Sequence, residues 1–178
     1  GGPTNITDIP AGPVLQRHVA DLYLHPNTPV LLFLTGEDVA NWLERAAILF
    51  NRITPQSRDS ALVRSDIPGF DFDLIDGLSF GIDLGVPARF DMRGTLVAPE
   101  ARRITDLRHA GRRVRPGDRF ILATNSYRAG GGGGFAGTGP DRTILSEPVA
   151  VRDILIAHIR ERGFDHALLI TKELCKLR

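Results

Sequence analysis

Apolar and polar positions along this chain repeat in two ways, and the repeats place most of its elements. Residues 30–34, Val-Leu-Leu-Phe-Leu, form an unbroken apolar run, which predicts a strand buried on both faces. Directly behind it, Thr35 and Asp38 have the form of a capping signal, a hydroxyl at the N-cap and a carboxylate three residues on. The positions that follow repeat at helical spacing: Val39, Leu43, Ala46, Ala47 and Phe50 share one face, and Glu37, Asn41, Glu44 and Arg45 lie mainly elsewhere. An earlier helix is predicted over 14–23, opened by Pro13 and broken by Pro26 and Pro29. Residues 54–67, polar and interrupted by prolines, read as a loop.

From Gly69 the period shortens to two. Phe70, Phe72 and Leu74 alternate with Asp71 and Asp73, the pattern of a strand, and Asp76-Gly77 is a tight-turn pair. With a return strand over 78–84, residues 69–84 are predicted to be a hairpin. A second strand pair is predicted from 104–107 and 119–124. The last helix starts after Ser146-Glu147-Pro148, carries Val151, Ile154, Leu155, His158 and Ile159 at helical intervals, and ends at Gly163. Residues 167–170 suggest a final strand. Together these elements predict an α+β class: one layered domain over 1–178, with mixed β-sheets and hairpins flanked by a few helices.

Composition narrows the partners. The chain has 178 residues, enough for a substantial core, and its 22 Lys plus Arg against 21 Asp plus Glu leave a net charge of +1. That balance argues against a partner of long nucleic acids and leaves small anionic ligands open. Arg102, Arg103, Arg108, Arg112, Arg113, Arg115 and Arg119 cluster around the predicted strand pair; an anion or RNA patch is the alternative, and with acids elsewhere balancing the charge they read as a solvated hairpin surface. The single cysteine, Cys175, excludes an internal disulfide. No apolar run approaches the ~20 residues of a membrane span. The chain opens on Gly1-Gly2-Pro3 without a methionine, so a piece of a longer protein is expected.

The candidate chemistry centres on 124–139, after the strand-like run 120–123. Five glycines, Gly130 to Gly134, are framed there by Tyr127 and Phe135. Glycine leaves no Cβ in the way of a ligand, and an aromatic at a strand end offers a flat apolar face. A slot for a planar molecule, rimmed by backbone N–H groups, fits this composition; so does a mobile, solvated loop. A dinucleotide fingerprint is rejected, because Phe135-Ala136-Gly137-Thr138-Gly139-Pro140 cannot open the helix it needs. His18, His25, His109, His158 and His166 match no zinc-ligand spacing, Cys175 lacks an evident base, and Ser126 is not in a nucleophile-elbow setting. Asp71 and Asp73 point to one side of their predicted strand, as many solvated edge residues do. No catalytic constellation is visible and no catalytic or metal-ligating residue is assigned. Recognition remains: Phe70 or Phe72 could clamp a planar group against Tyr127, or both phenylalanines could be core.

Six segments, taken in order, carry a resemblance. They are Asp8-Ile-Pro-Ala-Gly, Arg17-His-Val-Ala-Asp-Leu-Tyr23, Trp42-Leu-Glu-Arg45, Phe70-Asp-Phe-Asp-Leu-Ile-Asp-Gly77, Pro87-Ala-Arg-Phe-Asp91 and Ala123-Thr-Asn-Ser-Tyr-Arg-Ala129. The sequence resembles the C-terminal domain of the bacterial periplasmic 2′,3′-cyclic-nucleotide 2′-phosphodiesterase/3′-nucleotidases, relatives of the 5′-nucleotidases, from about Gly1 to Ile159. The resemblance implies a nucleoside- and nucleotide-binding domain in the periplasm, stacking the base between Tyr127 and Phe70, with Phe72 as the fallback and Gly130, Gly131 and Gly132 lining the pocket. It implies no cofactor in this chain, and a partner: its own N-terminal catalytic domain, holding two divalent metals. Glycine stands here where 5′-nucleotidases carry Asp in a Gly-Gly-Asp-Gly loop, which favours the cyclic-phosphodiesterase branch. The family's upstream helix, strand and phosphate-contacting Arg would precede Gly1. A 5′-nucleotidase-type substrate domain and a non-catalytic scaffold domain remain as alternatives.

Overall fold

In a computed structural model of the chain, residues 12–57, 61–163 and 175–177 are described. The apolar run becomes β1 (Pro29–Thr35), with Val30, Leu32 and Leu34 inward at 4%, 0% and 0% exposure and Leu31 and Phe33 half-buried. One face is therefore sealed and the other half-covered, where the unbroken run predicted burial on both. The cap forms as expected. The Asp38 N–H donates to Thr35 Oγ1 (3.1 Å), and the Thr35 N–H donates to Asp38 Oδ2 (2.9 Å). It starts α2 (Gly36–Ala46), which tightens into a 3-10 turn at Ala47–Leu49.

Helix α2 touches both sheets of the molecule, which explains one departure from the sequence pattern. Val39, Leu43 and Ala46 are buried as their spacing predicts, and Trp42 is buried with them, but Glu44 and Arg45 are also buried, each 1% exposed. A helix covered from two sides has no wet stripe at these positions. Glu44 Oε1 accepts from the Ile104 N–H (2.9 Å), and Arg45 Nη2 donates to the Met92 carbonyl (2.8 Å). Each fully buried large aliphatic here contributes about 1.5–3 kcal/mol.

One sheet has the order β5–β1–β6, formed by β1, β5 (Arg119–Asn125) and β6 (Thr143–Ser146), all antiparallel. The other has the order β4–β3–β2–β7, from β2 (Leu78–Ile82), β3 (Ile104–His109), β4 (Arg112–Arg113) and β7 (Cys175–Leu177), with β7 parallel to β2. The expected partnership of 104–107 with 119–124 is therefore corrected: both are strands, but in different sheets. Nor is 69–84 a hairpin. Gly69–Asp71 is a 3-10 turn and β2 pairs with β3 instead. Arg103 is no solvated residue either: 2% exposed, it donates to the carbonyls of Val86, Ala47 and Phe50, while Arg112, Arg113 and Arg115 stay exposed.

The remaining helices are α1 (Gln16–Leu22), the single turn α3 (Ser126–Ala129) and α4 (Val151–Arg162), which ends at Gly163 with φ +69. The strand expected over 167–170, His166 and residues 8–11 of the Asp8 segment lie outside the described residues. Among the described residues no helix is long and apolar enough to cross a membrane.

Candidate functional site

The site is assembled where β5 ends. Asn125 caps α3: its Oδ1 accepts from the Arg128 N–H (2.9 Å), and its Nδ2 donates to the Tyr23 hydroxyl (3.2 Å). Ser126 ties the same turn to the start of β1, donating its N–H to the Thr28 carbonyl (2.8 Å) and accepting from the Thr28 N–H at Oγ (3.1 Å). Tyr127 thus projects from a turn anchored at its start, and its side chain is 48% exposed.

Phe70 comes from the 3-10 turn and is 70% exposed, an unusual placement for a large apolar ring. Phe70 and Tyr127 line one cavity of about 890 Å³, within the range of small-molecule sites. Among the described residues neither ring stacks on another aromatic. Phe72 goes the other way. It packs edge-on against Phe50, with centroids 5.2 Å apart, and joins the core. Phe135 is core too, 4% exposed and 4.8 Å from the Trp42 ring.

Gly130, Gly131 and Gly132 are not among the residues lining the cavity. The expected row of rim donors is spent within the turn: their N–H groups donate to the carbonyls of Ser126, Arg128 and Tyr127. Gly132 and its neighbour Gly133 serve close approach instead. A Cβ on Gly132 would stand 2.5 Å from the Tyr127 ring, and one on Gly133 would collide with Arg128 Nη1.

Arg128 joins the two ring-bearing segments. Only 5% exposed, it makes a bidentate pair with Asp73, with Nε to Oδ2 and Nη2 to Oδ1 both at 3.0 Å. Nη1 donates to Asp71 Oδ1 (3.2 Å) and the Gly132 carbonyl (3.1 Å), and Nη2 donates to the Phe70 carbonyl (2.5 Å). Burial works against its charge, but the Asp73 and Asp71 carboxylates outweigh it and hold the guanidinium above its ordinary value. Asp73 also accepts from Trp42 Nε1 at 3.0 Å. The two aspartates are therefore partners of a buried cation, not members of a wet strand edge.

Sequence reasoning missed three contributors. Tyr23 and His25, between α1 and β1, line the same cavity, as does Asn125. Pro29 pairs with Asn125 across the sheet, so the 23–28 segment arrives beside Tyr127. No local pattern announces that pairing. Leu24, Leu74 and, from α4, Ile154 and Leu155 add apolar wall. Among the described residues no three His, Cys, Asp or Glu side chains gather as a metal set would.

Known proteins resemble this chain in sequence, and others in fold. A 2′,3′-cyclic-nucleotide 2′-phosphodiesterase/3′-nucleotidase of Haemophilus influenzae is 40% identical over 161 residues, 89% of this chain and 24% of that protein. The trifunctional nucleotide phosphoesterase protein YfkN of Bacillus subtilis is 36% identical over 162 residues, 90% of this chain and 11% of that protein. The chain thus spans about a quarter or less of the length of these relatives. The solved structure of a 5′-nucleotidase precursor from Thermus thermophilus superposes with a TM-score of 0.67 at 17% identity, over 95% of this chain and 29% of that one, a likeness of fold. The family model described as 5′-nucleotidase, C-terminal domain, matches residues 1–139. With that match and these relatives, the chain belongs to the 5′-nucleotidase C-terminal domain family.

Proposed function

We propose that this chain is the nucleoside-recognising domain of a longer, metal-dependent phosphoric ester hydrolase of the 2′,3′-cyclic-nucleotide 2′-phosphodiesterase/3′-nucleotidase type. The base stacks between Tyr127 and Phe70. The observation that carries this reading is the convergence of two exposed rings, 57 residues apart in sequence (127 − 70), on one cavity. Base–aromatic stacking contributes roughly 1–3 kcal/mol per ring and tolerates any base. The described residues do not fit a two-metal centre, so no hydrolytic step is derived from them. Hydrolysis, and the two divalent metals it uses, belong in this reading to a catalytic domain elsewhere in the parent protein. The periplasm is proposed as its compartment, from the resemblance of the sequence; recovery of the parent protein in the cytoplasmic fraction would refute that part.

Calorimetric titration of adenosine into this chain tests the binding role. Weak, saturable binding is expected, with Tyr127→Ala and Phe70→Ala each weakening it roughly 5- to 150-fold. Binding unaltered in Tyr127→Ala would point instead to a scaffold domain. The chain should not turn over 2′,3′-cyclic AMP with added Mn²⁺, and turnover would overturn the division of labour.

A further inference from the structure

An arginine lining a nucleotide cavity invites the reading of a phosphate ligand, and the geometry of Arg128 rules against it. A guanidinium has five N–H donors. Five bonds from Arg128 are present: two to Asp73 and one each to Asp71, the Gly132 carbonyl and the Phe70 carbonyl. Every donor is committed to the protein. Three of the four partner residues lie at 70, 71 and 73, the segment that carries Phe70. The fourth, Gly132, packs against the ring of Tyr127. Arg128 itself follows Tyr127 directly, with Cζ 5.3 Å from that ring's centroid and 4.5 Å from that of buried Phe135.

We propose that Arg128 is the positioning residue of the base slot: it sets the separation of Phe70 from Tyr127 by clamping the Phe70 segment and the glycine turn behind Tyr127 into one unit, and it does not contact the ligand's phosphate. The slot itself rests on the function proposed above. Lysine cannot replace Arg128, since a compact ammonium with three donors cannot match a fork that engages a bidentate carboxylate and three further acceptors.

Three measurements test this. In the unaltered chain, hydrogen exchange should show the amides of Asp71, Phe72 and Gly132, bonded to the carbonyls of Pro68, Gly69 and Tyr127, opening together with one free energy. Independent opening of 71–72 and 132 overturns the clamp, whether or not any nucleoside binds. In Arg128→Lys those amides should exchange faster and adenosine affinity should fall about tenfold or more, yet in a Phe70→Ala background the same change should cost less than about twofold. An equal loss in both backgrounds means that Arg128 does not act through Phe70. AMP and adenosine should lose affinity by the same factor; a loss confined to AMP assigns Arg128 to the phosphate and refutes the proposal. If Arg128→Lys does not fold, Asp73→Asn runs the same cycle and the exchange measurement decides alone. Failure of adenosine to bind the unaltered chain counts against the slot and leaves the exchange result to judge the clamp.

Discussion

Gly132 lies so close to Tyr127 that a Cβ on it would stand 2.5 Å from Cε2 and 2.6 Å from Cδ2 and Cζ of the ring. Real Cβ contacts are not that short, so either the ring or the turn must give. The φ of Gly132 is not in the left-handed region, so the effect is steric and not a matter of backbone strain. Gly132→Ala should therefore displace Tyr127, weakening adenosine binding about tenfold at a stability cost of about 1–3 kcal/mol. Gly131→Ala is the control. Gly131 sits at φ +90, with only Thr138 Oγ1 within reach of a Cβ, so the change should cost stability and spare affinity. Titration and urea unfolding of both variants separate the two.

Phe70 and Phe72 should part company on mutation. Phe70→Ala, at a position 70% exposed, should leave the unfolding midpoint nearly unchanged while reducing affinity. Phe72→Ala removes a ring packed on Phe50 and should cost about 3 kcal/mol, with affinity per folded molecule retained. The opposite assignment of the two effects would reverse which ring faces the ligand.

At the start of α2, Thr35→Ala removes the hydroxyl that accepts from the Asp38 N–H and donates to Asp38 Oδ2. A cost of about 1 kcal/mol is expected in thermal unfolding followed by circular dichroism. A Ser replacement should restore most of it.

Glu44 supplies a pH signature. Burial, its largest influence, pushes the carboxyl up against the pull of the Ile104 and Arg103 N–H groups and of the Arg102 and Arg103 charges. Oε2 has no hydrogen-bond partner among the described residues. A carboxyl raised above its unfolded value of about 4.3 holds its proton longer in the folded state. Its contribution is thus fully present below that unfolded value and is lost as pH rises through the folded value. Glu44→Gln should gain stability relative to the unaltered chain as pH climbs from 4 to 8, levelling off at the top. Urea midpoints across that range check it, and a gap that shrinks with rising pH would show the folded carboxyl to be stabilised as the anion.

How far the sequence can be read depends on the distance over which each feature is decided. β1, the Thr35–Asp38 cap, α2 and the Gly163 stop of α4 were legible because their signals sit within a few residues of the element they shape. The segment from Phe70 to Asp73 misled for the opposite reason. In a strand, residues two apart share a face, so Phe70 and Phe72 looked equivalent. In a 3-10 turn each residue rotates about 120°, and the two rings point apart. The partner of that turn lies far away: Arg128, more than fifty residues downstream, holds both aspartates and the Phe70 carbonyl on one guanidinium.

By itself the sequence determined the α+β class, the strand leading into a glycine-rich turn, and Tyr127 as a ring set at a strand end. Those follow from periodicity, capping and glycine chemistry, which act locally. Tertiary structure alone decided that β3 and β5 belong to different sheets, that Glu44, Arg45 and Arg103 are interior, that Phe70 and not Phe72 lines the same cavity as Tyr127, and that Tyr23 and His25 line it too. Each of these depends on which distant backbone supplies a hydrogen-bond partner or excludes water, and no short window of residues contains that information.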